Sequence, residues 1–401
     1  MSVTPKLSLC MIVRNEEAML PGCLDSVRDL VDEIVVVDTG SSDRTVKLAE
    51  SYRATVAHFG WRDDFAAARN ESLRHATGEW ILVLDADERL RPEGRGELER
   101  LIERDDIAGV NVWLASRMPD DLTAKVLAAR YCRLFRKLAG VAFTGLVHEQ
   151  VLPSIHRLGR KVIDSEIVID HLGYGGANPA KLERNLRLLE REIAARPHDP
   201  FAYFNLGMTL HGIGRWEESS RALRLALDLG ARDFERGLQA LAWSKIADNS
   251  LLLDQPQDAL TAAEASLAID PSSALARYSH AMSLARLQER EKALEELKTL
   301  LSGSSDGGLR VQIRMELVLG ATGGLLIQLG RPREAVPYYQ QAIHHADCPQ
   351  LYYLLGSALV FAQEFDEAGR AFAEAAKRHY PMARERQELC RALAQMREAV
   401  E

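Results

Sequence analysis

Cysteine is scarce in this 401-residue chain: five residues, at positions 10, 23, 132, 348 and 390, with no C-x-x-C pair and an odd count. That argues against a disulfide framework and a zinc ribbon, and it predicts a reducing compartment. Long apolar runs are missing as well. The longest uncharged stretch, residues 348–363, contains glutamine and two tyrosines and is shorter than the roughly 20 apolar residues that span a bilayer. The apolar run at residues 7–13 is short and runs into Arg14-Asn15-Glu16-Glu17, unlike a secretory leader. A cytoplasmic protein without an integral membrane segment is therefore expected. Basic excess is absent too: 50 Lys and Arg against 58 Asp and Glu leave a net charge of −8, so there is no electrostatic footprint for nucleic acid. What remains, 47% hydrophobic and 27% charged residues, is ordinary globular composition in a chain longer than one typical domain.

The periodicity changes near residue 175. Before it, the runs at 7–13, 34–37 and 80–84 are continuously apolar, as in buried parallel strands, and they alternate with amphipathic segments at 17–30, 43–52 and 65–76. This alternation predicts an α/β sheet with right-handed crossovers. Further strands are expected at 110–114, 131–135, 141–147 and 167–170.

After residue 178 the strand signal stops and a repeat begins. Small residues Ala247 and Ala281 lie 34 positions apart, as do Ala259 and Ala293, and Gly207, Gly323 and Gly356 occupy the equivalent first-helix place. This is the tetratricopeptide period. The 40 residues from Gly207 to Ala247 mark a degenerate unit. Small residues let paired helices approach closely, with Leu223, Trp243, Phe361 and Phe372 expected to fill the space between them. Residues 382–400 read as a charged capping helix. Tyr352, Tyr353 and Arg314 are candidates for a peptide-holding groove.

Chemistry concentrates in two places. Asp85-Ala-Asp87-Glu88 directly follows the apolar strand at 80–84. Carboxylates at i and i+2 leaving a strand can converge on a hard divalent cation, which also takes phosphate oxygens, and the carboxyl end of such a strand is where open α/β sheets bind ligands. The second place is Asp38-Thr-Gly-Ser-Ser-Asp43 after the strand at 34–37. An acidic residue there suits hydrogen bonds to a base or ribose, and the Gly/Ser turn offers N–H groups. For Asp43, N-capping of the next helix weighs at least as much as ligand contact.

Taken together, Leu9-Cys-Met-Ile-Val-Arg14-Asn15-Glu16-Glu17, Val37-Asp38-Thr-Gly-Ser-Ser-Asp43, Asp64-Phe-Ala-Ala-Ala-Arg69-Asn70, Trp80-Ile-Leu-Val-Leu-Asp85-Ala-Asp87-Glu88, Arg133-Leu-Phe-Arg136, Gly145-Leu-Val-His148-Glu149 and Asp170-His171-Leu-Gly-Tyr174 resemble the ordered motifs of family-2 glycosyltransferases. The repeats fused behind them are similar to those of bacterial peptide glycosyltransferases of the sublancin S-glycosyltransferase type. The resemblance implies a GT-A, Rossmann-like nucleotide-sugar-binding α/β domain over residues 1–177 and an all-α tetratricopeptide solenoid over 178–401.

It also implies residue roles. Arg14, Asn15, Glu16, Asp38, Arg69 and Asp85 would hold the sugar nucleotide, usually UDP-linked. Asp87 would bind Mn²⁺ or Mg²⁺ across the diphosphate, with His171 completing the metal site; an imidazole suits Mn²⁺ better. Glu149 is the candidate general base of an inverting transfer, with His148 orienting it or touching the diphosphate, and Glu88 is the alternative base. Arg69 would pair with the diphosphate or with Asp87. Arg133 and Arg136 are expected on one strand face, and Trp61 in packing. The acceptor implied is a peptide or protein presented by the repeats. A lipid-linked or polysaccharide acceptor, or a scaffold with a retired transferase domain, are the alternatives, and a second copy of the chain is a further possible partner.

Overall fold

The computed structural model describes residues 5–117, 124–173, 179–230, 234–303 and 310–398. Packing separates a first unit, ending at Phe234, from a second that begins at Glu235.

In the first unit the chain runs β1 (Leu7–Val13), α1 (Leu20–Val27), β2 (Glu33–Asp38), α2 (Thr45–Ser51), β3 (Thr55–His58), α3 (Phe65–His75), β4 (Trp80–Val83), β5 (Glu88–Leu90), α4 (Arg95–Ile102), β6 (Gly109–Arg117), β7 (Ala124–Arg136), α5 (Leu152–Arg157) and β8 (Val162–His171). The strands form one mixed sheet in the order β3-β2-β1-β4-β7-β6-β8-β5. The first four are mutually parallel, as the continuous apolar runs predict, and β4 meets β7 antiparallel.

Alternation along the strands builds two apolar layers. Leu7, Leu9, Met11 and Val13 pack with Leu20, Leu24 and Val27 of α1, Ala49 of α2 and Leu98 of α4. Cys10, Val35, Ile81 and Val83 point the other way, onto Ala66 of α3 and Ile155 of α5. The sheet is thus covered by helices on both faces, and the carboxyl ends of β1, β2 and β4 share one edge.

Two strand expectations need correction. Residues 141–147 are not a strand; the segment is a loop with a single bridge between Thr144 and Gln150. Its apolar residues Val141, Phe143 and Val147 are buried or half-buried because helices pack on them, and burial alone does not make a strand. Conversely, the short strands β3 and β5 carry no apolar run that would have announced them.

The first unit continues into α6 (Pro179–Ala195), α7 (Pro200–Gly212) and α8 (Trp216–Leu229). The periodicity changes near 175, yet these helices group with the sheet. Leu188 and Leu189 of α6 pack on Val147, and Glu192 accepts the Leu146 N–H at 3.1 Å.

The second unit consists of α9 (Arg236–Leu252), α10 (Pro256–Ile269), α11 (Ala274–Arg286), α12 (Arg290–Ser302), a short strand β9 (Arg310–Ile313), α13 (Met315–Gln328), α14 (Pro332–His345), α15 (Pro349–Phe361), α16 (Phe365–Lys377) and α17 (Ala383–Glu398). Paired helices meet through small residues. A Cβ on Gly356 would lie 2.9 Å from the Phe372 ring, and one on Gly323 would lie 2.8 Å from Tyr339; only glycine permits that approach. Leu223, in the first unit, and Phe372 are fully buried as expected, but Phe361 is 64% exposed. It is the last residue of α15, where the helix face has already turned outward, so it does not fill the space between helices. Tyr353 packs on Phe372 and Tyr380, and Arg378 lies over the Tyr352 ring at 4.4 Å. No helix among the described residues is long and apolar enough to cross a membrane.

Candidate functional site

The site forms along the carboxyl edge of the parallel strands, where β1, β2 and β4 end in loops rich in polar side chains. After β1, Asn15 adopts a left-handed conformation (φ 56°), uncommon for a non-glycine residue. Its Oδ1 accepts the Ser42 N–H at 2.8 Å, while its own N–H donates to Ser41 Oγ at 2.9 Å. Glu16 donates its N–H to Thr45 Oγ1 at 2.7 Å. Asp43 accepts from the Thr45 N–H at 2.9 Å and the Glu17 N–H at 3.2 Å. Asp43 thus serves the start of α2 and ties the two loops together. Arg14 is exposed on the same loop.

Asp38 ends β2 and is turned inward. Its carboxylate accepts the N–H groups of Gly40 and Ser41 at 3.1 Å each, and the residue is 4% exposed. His58, at the end of β3, places Nδ1 3.4 Å from Asp38 Oδ2.

After β4 the chain turns, with the Glu88 N–H bonded to the Asp85 carbonyl at 3.0 Å. The two aspartates of this turn take different partners. Asp85 accepts from Arg69 Nη2 at 2.5 Å and lies 3.7 Å from Arg133. Burial pushes its carboxyl up, but the two guanidiniums outweigh that and hold it well below the usual carboxylate range. Asp87 instead lies 3.3 Å from His171 Nε2.

That meeting depends on β8. The pairing of β5 with β8 sets Glu88 opposite His171, and the pairing of β6 with β8 sets Ser116 beside it. Ser116 Oγ is 3.1 Å from His171 Nδ1, which turns Nε2 toward Asp87. Burial lowers the His171 pKa, and the bond and charge of Asp87, helped by Glu88 and Asp85, raise it overall. Gly173 completes the corner: a Cβ there would lie 1.6 Å from Asp87 Oδ2. Tyr174, the end of this motif, lies outside the described residues.

Arg69 is the hub of the other side. On α3, capped by Asp64 through the Ala67 N–H at 2.8 Å, it is 3% exposed and donates Nε to Glu149 Oε1 at 2.7 Å. Its neighbour Asn70 holds both backbone groups of Phe143, donating at 3.0 Å and accepting at 2.8 Å. The pair Arg69-Asn70 therefore fixes the whole 143–149 loop beside Asp85. Arg69 bonds Asp85 rather than Asp87. His148 is surface-exposed in a left-handed conformation (φ 56°); partial desolvation lowers its pKa, with Lys181 and Arg184 adding to that against Glu149.

Glu88 is fully buried, bonded by Arg133 at 2.6 Å and by the Asp85 N–H at 2.9 Å. Burial raises its pKa, and its bonds to Arg133 and the Asp85 N–H make it a prop under Asp85. Arg133 and Arg136 do not share a face, since residues three apart on a strand point oppositely. Arg136 instead lies over Trp80 at 4.8 Å and bonds Glu79. Trp61 packs edge-on against Phe65. Among the described residues, Arg69 Nη1 and Arg133 Nε are buried without a hydrogen-bond partner.

Four side chains at this edge went unnoticed in the sequence: Ser116, His58, Lys181 and Arg184. Ser116 and His58 come to it through strand register alone. Lys181 and Arg184 come through α6, where Arg184 stacks over Phe65 at 5.2 Å. Burial and the charges of Asp87 and Asp85 raise the Glu16 pKa, and Lys181 lowers it, so Glu16 shares the acidic corner while Lys181 offsets it.

Residues 8–150 match the glycosyl transferase family 2 model. The chain is 38% identical over 234 residues to a TPR repeat-containing protein of Synechococcus elongatus, covering 56% of this chain and 57% of that one. It is 29% identical over 232 residues to the SPbeta prophage-derived glycosyltransferase SunS of Bacillus subtilis, covering 57% and 54%. The chain thus spans about half the length of the curated relatives it matches. Among solved structures, it is similar to MamA (TM-score 0.36, 19% identity, 42% of this chain and 91% of that one). It is also similar to YrrB, described as a TPR protein with an unusual peptide-binding site (TM-score 0.38, 15% identity, 48% and 92%). With its parallel strands, its edge of converging carboxylates and its paired helices of 34-residue period, this chain carries a glycosyltransferase family 2 domain followed by helical repeats.

Proposed function

We propose that the family-2 domain transfers a hexosyl group from a UDP-linked sugar, with inversion, to a peptide or protein held by the helical repeats. The observation that carries this reading is the meeting of Asp87 with His171 at 3.3 Å, 84 residues apart in sequence (171 − 87), beside Asp85 and Glu16. One carboxylate oxygen and one imidazole nitrogen oriented by Ser116 suit Mn²⁺ better than Mg²⁺. Among the described residues no three His, Cys, Asp or Glu side chains form a ready-made cage, which fits an ion that takes its other ligands from donor phosphates and water. When bound, such an ion offsets the charge gathering on the departing nucleoside diphosphate.

The protein's own groups do the rest. Asp85, held ionised by Arg69 and Arg133, faces the ribose or sugar as an acceptor of hydrogen bonds. Arg14, Lys181 and Arg184 supply positive charge at the mouth for the diphosphate. Asn15 and the Gly40-Ser41-Ser42 turn hold the nucleoside end. Glu149 has one oxygen fixed by Arg69, and its Oε2, without a hydrogen bond among the described residues, takes the acceptor's proton as the nucleophile attacks. The paired helices offer the kind of extended surface on which repeat proteins hold peptides.

The test is donor hydrolysis and binding with a panel of UDP- and GDP-sugars, with Mn²⁺ or chelator, beside Asp87→Ala. Metal-dependent release of one nucleotide, abolished in the variant, is the expected result. No binding and no turnover across the panel would move the weight to a scaffold role for the repeats.

A further inference from the structure

Strand register places Val13, Asp38 and His58 in one row across β1, β2 and β3. This row closes the carboxyl edge of the parallel strands, where a bound nucleoside lies in open α/β sheets. The acidic member of the row is occupied: Asp38 accepts N–H groups from Gly40 at 3.1 Å and from Ser41 at 3.1 and 3.2 Å, and its side chain is 5% exposed. It shapes its own loop and offers little to a ligand. The histidine is the reverse. Its backbone is held in the sheet, with the following Phe59 N–H bonded to the Asp38 carbonyl at 2.8 Å. Its ring is 71% exposed, with Nδ1 against Asp38 Oδ2.

The carboxylate decides what that ring presents. In a neutral imidazole the proton is favoured on the nitrogen beside the negative oxygen, so Nδ1 carries it and Nε2 keeps its lone pair. We infer that His58, and not Asp38, reads the nucleobase of the donor, its Nε2 accepting an N–H at the base's pairing edge. Uracil N3–H and guanine N1–H satisfy this acceptor. Cytosine N3 and adenine N1 present a second lone pair and do not. The inference rests on the proposed glycosyltransferase function and adds a specificity-determining residue to it.

The experiment is calorimetric binding of UDP and of N3-methyl-UDP to the full chain with Mn²⁺, for the unmodified protein and for His58→Ala. A neutral hydrogen bond contributes about 0.5–1.5 kcal/mol, so about a tenfold change at most is expected from its loss. The unmodified protein should bind N3-methyl-UDP up to about tenfold more weakly than UDP. His58→Ala should lose a similar factor for UDP and discriminate far less between the two. Equal discrimination in both proteins overturns the role of His58, because the methyl group would then be rejected by something else. Unchanged UDP affinity in His58→Ala does the same. Binding of neither nucleotide by the unmodified protein overturns the UDP-linked donor of the proposed function, and this inference about uracil with it. Since His58 is exposed, an unchanged melting curve for the variant confirms that any loss is one of recognition.

Discussion

Arg69 holds Glu149, 80 residues further along the chain, with its Nε 2.7 Å from the carboxylate, and the other arm of the same guanidinium reaches Asp85 at 2.5 Å. One buried cation thus sets the spacing between the residue assigned to the donor sugar and the residue assigned to the acceptor's proton. A planar, forked side chain does this where a point charge does not.

Arg69→Ala leaves Glu149 without the cation it is bonded to, and Asp85 with Arg133 alone at 3.7 Å. Removing one partner of a buried ion pair costs about 3–5 kcal/mol. Because Asp85 is partly solvated, with a 35% exposed side chain, the lower end, about 3 kcal/mol, is expected from urea unfolding. Arg69→Lys should recover part of the stability but not donor turnover, because an ammonium pairs with one carboxylate at a time. Turnover at the unmodified level in Arg69→Lys would show that the bridge does not matter to the chemistry.

Ser116 and Gly173 test the Asp87–His171 corner with both of those residues left in place. Loss of such an orienting hydrogen bond typically weakens metal affinity about 10- to 100-fold, so Ser116→Ala should raise the Mn²⁺ needed for half-maximal turnover while the saturated rate changes little. In Gly173→Ala the new Cβ would fall 1.6 Å from Asp87 Oδ2, forcing that carboxylate aside. Activity should fall sharply with the melting temperature nearly unchanged. Mn²⁺ titrations that are identical for Ser116→Ala and the unmodified chain would remove His171 from the metal site.

Glu192 makes the docking of α6 sensitive to pH. Burial raises its carboxyl pKa, while Arg196 and the Leu146 N–H pull it down less strongly. A raised folded-state pKa means that the folded chain binds more protons than the unfolded one between the ordinary glutamate value, about 4.3, and the raised value. Stability contributed by this group is therefore full below about 4.3 and falls as pH rises through the folded pKa. Glu192→Gln keeps an oxygen for the Leu146 N–H and removes the titration. Its stability should fall less than that of the unmodified protein as pH rises from 4 to 7; identical pH profiles would contradict the assignment.

Phe361 and Phe372 occupy the same paired-helix repeat with opposite fates. Phe372 is 1% exposed against Gly356, and Phe361 is 64% exposed. Phe372→Ala should cost about 3–5 kcal/mol, whereas Phe361→Ser should change stability by about 0.5 kcal/mol or less. Chemical denaturation of the two variants separates them directly. A comparable loss for Phe361→Ser would mean that its ring is covered in solution.

Much of this molecule can be read from its residues because the signals are local. The apolar runs at 7–13, 34–37 and 80–84 became β1, β2 and β4, and the 34-residue spacing of small residues became paired helices, because a strand buried on both faces and a close helix pair each impose their own pattern. The loop at 141–147 misled for the same reason: its apolar residues are packed by α3 and α6, and a packed loop carries the same composition as a strand. The strand β3, with only four residues and exposed ends, left no such signature.

The sequence by itself determined the order of the elements, the repeat and the chemical types available: carboxylates after β2 and β4, a histidine near 171, an Arg-Asn pair on α3. Those follow from short-range periodicity and from which side chains bond metals, phosphates and sugars. Only the tertiary structure decided how they combine. Register between β5, β6 and β8 joined Asp87, His171 and Ser116; α3 and the 143–149 loop joined Arg69 to Glu149 and Asp85; β2 beside β3 set His58 on Asp38. Each of these pairings links residues 16 or more positions apart, and strand pairing and helix docking, which no local pattern encodes, set the distances between them.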